Sequence, residues 1–268
     1  MRIRLAIILV CAGVFSCPAY AQLYNTPIPK VLDEWRFELT PYLWAPSIAS
    51  TLSYNDQYIK SVDQNASDVL HNLKSGAMIS GEAHYGNWGI LGDVVSATLQ
   101  KTGAIPVTPQ PGVQIRLADK STVQNTIVTT AVTYTVIKND NAYVDALVGG
   151  RWIGTTSTIN LTLTGSTTFS DSKAMSTADP IIGFKGRYRV ADSTWYVPFY
   201  ADIGSGGGTT NVTWQAMLGI GKTIEKWVDV ALVYRGLFYD MDSSKTNGQG
   251  LLQKTTFQGP QLSATFKF

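Results

Sequence analysis

The chain has 268 residues, 44% of them hydrophobic and only 15% charged, with 24 Gly, 13 Tyr and 7 Trp. Soluble domains carry about 25% charged residues; the deficit, with a mean hydropathy of +0.02, argues against a disordered chain, a coiled coil or a cytosolic housekeeping enzyme. The formal net charge of +2 is carried by Arg2 and Arg4 in the leader, so the remaining chain is neutral and has no basic footprint for nucleic acid.

In chain order, Arg2 and Arg4 precede an apolar stretch from Leu5 to Phe15, and Ala19-Tyr20-Ala21 supplies an A-x-A cleavage site. Residues 1–21 therefore read as a secretory signal peptide, too short for a membrane-spanning helix. A rival reading takes Val14-Phe15-Ser16-Cys17 as a lipidation box, although Phe15 is bulky for its place there. Cys11 and Cys17 both lie in the leader, so the mature chain from Gln22 has no thiol for a disulfide, a zinc-thiolate site or a cysteine nucleophile. No later stretch is apolar enough for a spanning helix. Only a closed β-barrel could then cross lipid, because every backbone N–H and C=O must be paired where water is absent.

Residues 22–34 read as a periplasmic N-terminal segment, and residues 35–268 read as strands almost throughout. Trp35 to Ala45 alternates, with Trp35, Phe37, Leu39 and Leu43 on one face and Arg36, Glu38, Tyr42 and Trp44 on the other. Pro46-Ser47 interrupts, and Ile48 to Tyr54 resumes. Asn65 to Leu73 is the one helical piece, with Ser67 as its cap and a stripe of Val69, Leu70 and Leu73. It fits either a loop helix on the rim or a plug in the lumen. In Ile181 to Val190, Ile182, Phe184 and Tyr188 oppose Lys185, Arg187 and Arg189. Thr194 to Gly204 and Trp227 to Asp240 alternate in the same way. These segments match the roughly 9–11 residues of a tilted membrane-crossing strand, rather than the five or six of a typical soluble strand.

Short connections at Gly86-Asn87, Lys138 to Asn141, Ala191 to Ser193 and Glu225-Lys226 alternate with long ones. The long ones are Lys101 to Lys120, Ser157 to Ala178, Ser205 to Gly208 and Asp242 to Gly250. Outer-membrane barrels have this asymmetry, with short periplasmic turns and long extracellular loops. The fold expected is all-β, a transmembrane antiparallel up-and-down β-barrel of about ten strands. Ten follows if the chain to Tyr54 is one bent strand; twelve follows if it is a hairpin and Ile159 to Phe169 adds a crossing.

The chain ends Gln261-Leu262-Ser263-Ala264-Thr265-Phe266-Lys267-Phe268. This resembles the C-terminal assembly signal of bacterial outer-membrane barrels through Gln261, Phe266 and Phe268, with Ser263 in place of the usual Gly. Further short motifs include Glu38-Leu39-Thr40-Pro41-Tyr42-Leu43-Trp44-Ala45-Pro46, Glu82-Ala83-His84-Tyr85-Gly86-Asn87-Trp88-Gly89-Ile90 and Asp179-Pro180-Ile181-Ile182-Gly183. Through them most of the mature chain resembles an uncharacterised family of Gram-negative outer-membrane β-barrel proteins. The resemblance implies a barrel, a place in the outer membrane, contact with its lipid and with the barrel-assembly machinery, and a monomer. It brings no activity, cofactor or metal.

Projecting the strands inward selects lumen candidates: Arg36, Glu38, Glu82, His84, Asp93, Asp145, Arg151, Lys185, Arg187, Arg189, Asp202, Asp229, Arg235 and Lys267. The two signs nearly balance, as a salt-bridge network filling a narrow barrel requires. Alternatively, Lys185, Arg187 and Arg189 form a basic ladder along a small anion-attracting pore. Ten or twelve strands lie between the barrel that side chains just fill and the open porin. The favoured role is structural or that of a narrow passive pore. The alternative is surface binding or adhesion through the long loops.

Ser80, Glu82 and His84 share one strand face and are the raw material of a lipid hydrolase. Consecutive same-face residues stand roughly 6.5–7 Å apart, too far for a direct bond between backbone-fixed groups, and no nucleophile-elbow pattern accompanies them. The favoured reading is not an enzyme. Trp35, Trp88, Trp152, Trp195 and Trp227 read as interface-belt residues near strand ends. Asp56, Asp63, Asp68, Asp171 and Asp179 read as solvated loop charge, since their spacing fits no EF-type loop. His71 and His84 have no metal-ligand spacing.

Overall fold

The computed structural model describes residues 26–54, 57–110, 113–163, 168–206, 210–242 and 251–268. The signal peptide expected over residues 1–21 lies outside the described residues, as do most of the connection at 242–250 and part of that at 205–208.

Among the described residues, twelve strands and one short helix follow in order: β1 (Trp35–Trp44), β2 (Ser47–Tyr54), β3 (Gln57–Gln64), α1 (Ala66–Asn72), β4 (Leu73–Tyr85), β5 (Trp88–Gln110), β6 (Val113–Lys138), β7 (Ala142–Leu163), β8 (Thr168–Arg189), β9 (Trp195–Gly204), β10 (Thr210–Glu225), β11 (Val228–Asp242) and β12 (Leu251–Lys267). Ten of them, β1 and β4 to β12, form an antiparallel ring that β1 and β12 close. Phe37 and Phe268 exchange both backbone bonds at that closure, at 3.2 and 2.9 Å.

β2 is not a separate crossing. On β12, Trp44 faces Gln261 and Ser47 faces Gln258, so β1 and β2 run along it in one register with no residue inserted. Ala45 bridges the bend by donating to the Pro260 carbonyl at 3.0 Å. Pro46 deflects the strand without ending it, because its missing N–H falls on the side turned away from β12. β3 then folds back on β2 above the ring. Ile159 to Phe169 supplies no crossing; its described part continues the hairpin of β7 and β8.

Two long connections are therefore strands, not loops. β5 pairs with β6 out to Gln110 opposite Val113, and β7 with β8 out to Thr162 opposite Thr168. β6 and β7 stay paired as far as Leu117 opposite Leu163. Thr and β-branched residues continue past the membrane boundary in these segments; Pro106 sits within the pairing, opposite Arg116, and the register slips between Val107 and Gln110 without ending the hairpin. A four-stranded sheet thus rises on one side of the long-hairpin end. α1 is capped by Asn65, whose side chain accepts from the Asp68 amide at 2.8 Å; Ser67 does not cap it.

The outer wall is apolar. Leu43, Ile90, Val148, Ile182, Leu218 and Leu232 are exposed on it. At the short-turn end Trp35 stacks on Phe37 and packs on Tyr85, Trp88 meets Tyr134, and Trp227 stacks on Phe266. Trp195 is exposed at the start of β9. Trp152 lies in the middle of β7 rather than near a strand end, because β7 runs on beyond the membrane.

Candidate functional site

All fourteen charged or imidazole side chains selected as lumen candidates lie on the inward-facing register of their strands. They form stacked layers from the short-turn mouth upward.

At the mouth, Arg187 on β8 reaches across the ring to Glu38 on β1 at 3.5 Å and donates to Asp229 on β11 at 2.8 Å. Lys267 donates to the other Asp229 oxygen at 2.7 Å, and Arg36 pairs with Glu38 at 3.5 Å. The chain before β1 folds over this layer. Pro27 and Ile28 are buried, and the Pro27 carbonyl accepts from Arg187 at 3.2 Å. The Lys30 carbonyl accepts from Arg36 at 3.1 Å, and the Leu32 carbonyl from the Gly86 amide at 3.1 Å. Arg189 takes no part; it donates to the Ser193 carbonyl and holds the turn after β8.

Next, Glu82 contacts both Lys185, from near the opposite wall, and His84 Nε2, the latter at 3.0 Å, so the flexible Glu82 side chain spans the gap that strand spacing had set against a direct bond. Tyr143 links Arg36 to His84 Nδ1, accepting at 3.1 Å and meeting the imidazole at 3.4 Å. Thr135 donates to Asp145 at 2.7 Å. Glu82, His84 and Asp145 each offer a ligand atom within 4.8 Å of the others. The Lys185 ammonium against Glu82 already supplies positive charge there, which opposes a metal ion.

The middle of the lumen is spanned by Arg235 of β11. It donates to Asp93 of β5 at 2.8 Å, Gln215 of β10 at 2.8 Å, Tyr42 of β1 at 2.9 Å and Gln261 of β12 at 3.3 Å. Tyr42 donates onward to Asp93 at 2.6 Å, and the guanidinium lies 4.8 Å from the Trp44 ring. Arg151 of β7 pairs with Asp202 of β9 and donates to Thr213 of β10 at 3.2 Å. Beside these networks lies an apolar cluster of Leu91, Ala131, Leu147, Ile181 and Tyr200. A second one, built from Trp44, Val95, Ile127, Ile153, Leu237, Tyr239, Met241 and Phe257, closes the end under the long hairpins. A polar cavity of about 170 Å³ remains between the mouth and the Arg235 network.

The three members of the basic ladder are therefore tied to different partners, and no free cationic row lines a channel among the described residues. Ser80 lines the polar cavity, but its hydroxyl has no bond to His84 among the described residues. Asp179 is not a loop residue. It is buried on β8 directly opposite Arg151, because β8 begins well before it. Tyr143 and Gln215 join the networks without having been singled out from sequence. Tyr143 shares the strand parity of Asp145, the only signal that pointed to it, and an uncharged side chain on a polar face advertises itself less than a charge does.

No protein-family model matches the sequence, and no match was found among curated proteins. Among solved structures, the outer membrane protease OmpT from Escherichia coli superposes with a TM-score of 0.60 at 9% identity, over 91% of this chain and 100% of that one. The chain is an outer-membrane β-barrel. Ail of Yersinia pestis (TM-score 0.34, 10% identity, 88% of this chain and 100% of that one) and OprG of Pseudomonas aeruginosa (0.27, 9%, 87% and 95%) are more distant outer-membrane barrels. At these identities the likeness is one of fold. Barrels of this fold turn their apolar wall to lipid and carry short turns on the periplasmic side and long loops outside.

Proposed function

We propose that this barrel is a closed structural element of the outer membrane, carrying its extracellular hairpins as a rigid surface, and that it does not conduct solutes. The observation that carries this reading is Arg235, which holds β1, β5, β10 and β12 from β11 and so crosses the lumen with four hydrogen bonds. The segment at Pro27 and Ile28 covers the periplasmic mouth, and the apolar cluster around Leu237 and Phe257 fills the other end. The lumen charges then serve stability and register. Asp229, Glu38 and Glu82 neutralise the cations that a pore would need free. The chain works as a monomer embedded in lipid, delivered by the assembly machinery through Phe266 and Phe268.

The test is recording in planar bilayers. At high protein dose the membrane should stay silent; stepwise conductance altered by Arg187→Glu would replace this reading with the narrow pore.

A second reading, surface binding, draws on the hairpins β5–β6 and β7–β8, which run about twice the length that a membrane crossing needs. Deleting residues 103–118 should abolish recognition of a surface partner and leave the barrel folded. Catalysis fits less well. OmpT is a protease, but here His84 and Glu82 are locked to Tyr143 and Lys185 inside the lumen. Phospholipid turnover lost in His84→Ala would reinstate the hydrolase.

A further inference from the structure

The barrel wall is split at one place. β1 and β4 pair from Trp35 opposite Tyr85 to Pro41 opposite Ile79, and then part. Above that point the continuation of β1, strand β2, takes β3 as its partner, while β4 runs on to Leu73 paired only with β5. Since Ala45 donates toward β12, the neighbouring Trp44 N–H points toward β4. With no carbonyl there to receive it, this N–H meets the Met78 sulfur at 3.3 Å. Helix α1 joins β3 to β4 across the opening.

Behind the split lies a second chamber, about 50 Å³, separate from the polar cavity. Trp44, Ile48, Met78, Val95, Ile127 and Phe257 line its inner side, and Asn125 is the one polar residue among its lining. Leu70 and Leu73 belong to the same lining, yet they are 52% and 37% exposed, so the chamber reaches the surface beside α1. Apolar cavities of this kind stay dry and take up apolar molecules.

The level of the split narrows the choice of occupant. Leu43 and Ile79 flank its start on the outer wall, 75% and 41% exposed. Leu43 lies one membrane-crossing strand above the aromatic girdle at Trp35. Hydrocarbon chains of the outer leaflet therefore end beside the opening. We propose that the split between β2–β3 and β4–β5, with α1 as its cover, is a binding site for a single alkyl chain, from a free fatty acid or from a lipid tail. At about 50 Å³ the chamber takes only the tip of a straight chain, the rest lying in the opening beside Leu70 and Leu73, and such a chain leaves no buried donor or acceptor to satisfy. A polar solute would leave its groups unpaired.

The site predicts saturable quenching of Trp44 by a brominated chain. Undecanoate with a terminal bromine is titrated into the barrel in lipid nanodiscs, and tryptophan emission is followed in the wild type and in Trp44→Phe. The expected result is a saturable component present only in the wild type. Ala97→Phe, which fills the chamber, and Leu70→Lys, which puts a charge at its surface opening, should each weaken it at least tenfold. Folding of every variant is checked by its heat-modifiable shift on gels; Leu70 is exposed enough for that variant to fold even if Ala97→Phe does not. Repeating the experiment with a phospholipid brominated at its chain end separates the sources. Quenching of Trp44 by the free acid alone assigns the site to fatty acids, and quenching by the phospholipid assigns it to the leaflet. Linear, non-saturable quenching with both probes, or an equal component in Trp44→Phe, overturns the proposal.

Discussion

Replacing Arg235 by Met removes the cation from the middle of the lumen while keeping most of the side-chain volume. Four hydrogen bonds disappear, to Asp93, Gln215, Tyr42 and Gln261, together with the guanidinium contact on the Trp44 ring. Asp93 keeps only the Tyr42 hydroxyl and stays buried without a counter-charge. Breaking a buried ion pair from one side costs about 3–5 kcal/mol, whereas replacing both partners by apolar groups is often neutral or stabilising. With a urea slope of about 3 kcal/mol per molar, the upper end for ordinary domains, the single variant should unfold roughly 1–1.7 M earlier. The double variant Arg235→Met, Asp93→Leu should recover most of that loss. The assay is equilibrium urea unfolding of the barrel in lipid vesicles, read by tryptophan emission and by gel mobility. The reasoning fails if the single variant keeps the wild-type midpoint, or if the double variant unfolds no later than the single one. Either outcome would mean that the lumen is wet enough to solvate Asp93, and the closed-barrel reading would fall with it.

Three more tests probe the wall and its seams. A Cβ on Gly183 would lie 2.1 Å from the Ala201 carbonyl oxygen and 2.7 Å from the Asp202 Cα. Gly183→Ala should therefore cost about 1–3 kcal/mol by overpacking, while Gly92→Ala, with open space around it, should be neutral or slightly stabilising in the same urea assay. Removing Phe268 deletes the two backbone bonds that it exchanges with Phe37. At a net 0.5–1.5 kcal/mol each this amounts to about 1–3 kcal/mol, and an unchanged midpoint would show that the last residue does not help close the ring. Asn65→Ala removes the α1 cap and should cost about 0.5–2 kcal/mol locally. Hydrogen exchange of the α1 amides should speed up while that of β7 stays as it was; equal acceleration in both would contradict a local effect.

The period-two alternation was enough to orient most of each strand. Arg235 falls on the face of Asp229 and Lys185 on the face of Arg187 because successive side chains on a strand point to opposite sides. The alternation of short and long connections made the bent strand through Pro46 legible, since a hairpin there would have required a further crossing elsewhere. The period-two signal misplaced Asp179, and it took the hairpins beyond Gln100 and Thr156 for loops. Alternation of small and β-branched residues looks alike whether the strand is in lipid, in water or in a tall extension. The helix cap went to Asn65 rather than Ser67 because a cap needs the correct backbone angle as well as an oxygen, and the helix starts two residues earlier than a Ser67 cap would place it.

By itself, the amino-acid order determined that this chain must be a sheet closed on itself, since it has strands long enough for lipid, one greasy face, one ionic face and no other way to pair its backbone. Only the tertiary structure decided which charge meets which. Arg187 finds Glu38 on the opposite wall and Arg235 finds Asp93 across the lumen, pairings that depend on the strand number and stagger of the ring rather than on any local pattern. Tertiary structure also decided that β4 leaves β1 above Ile79 and opens the wall beneath α1, because the loss of a neighbour depends on where two distant segments stop running side by side.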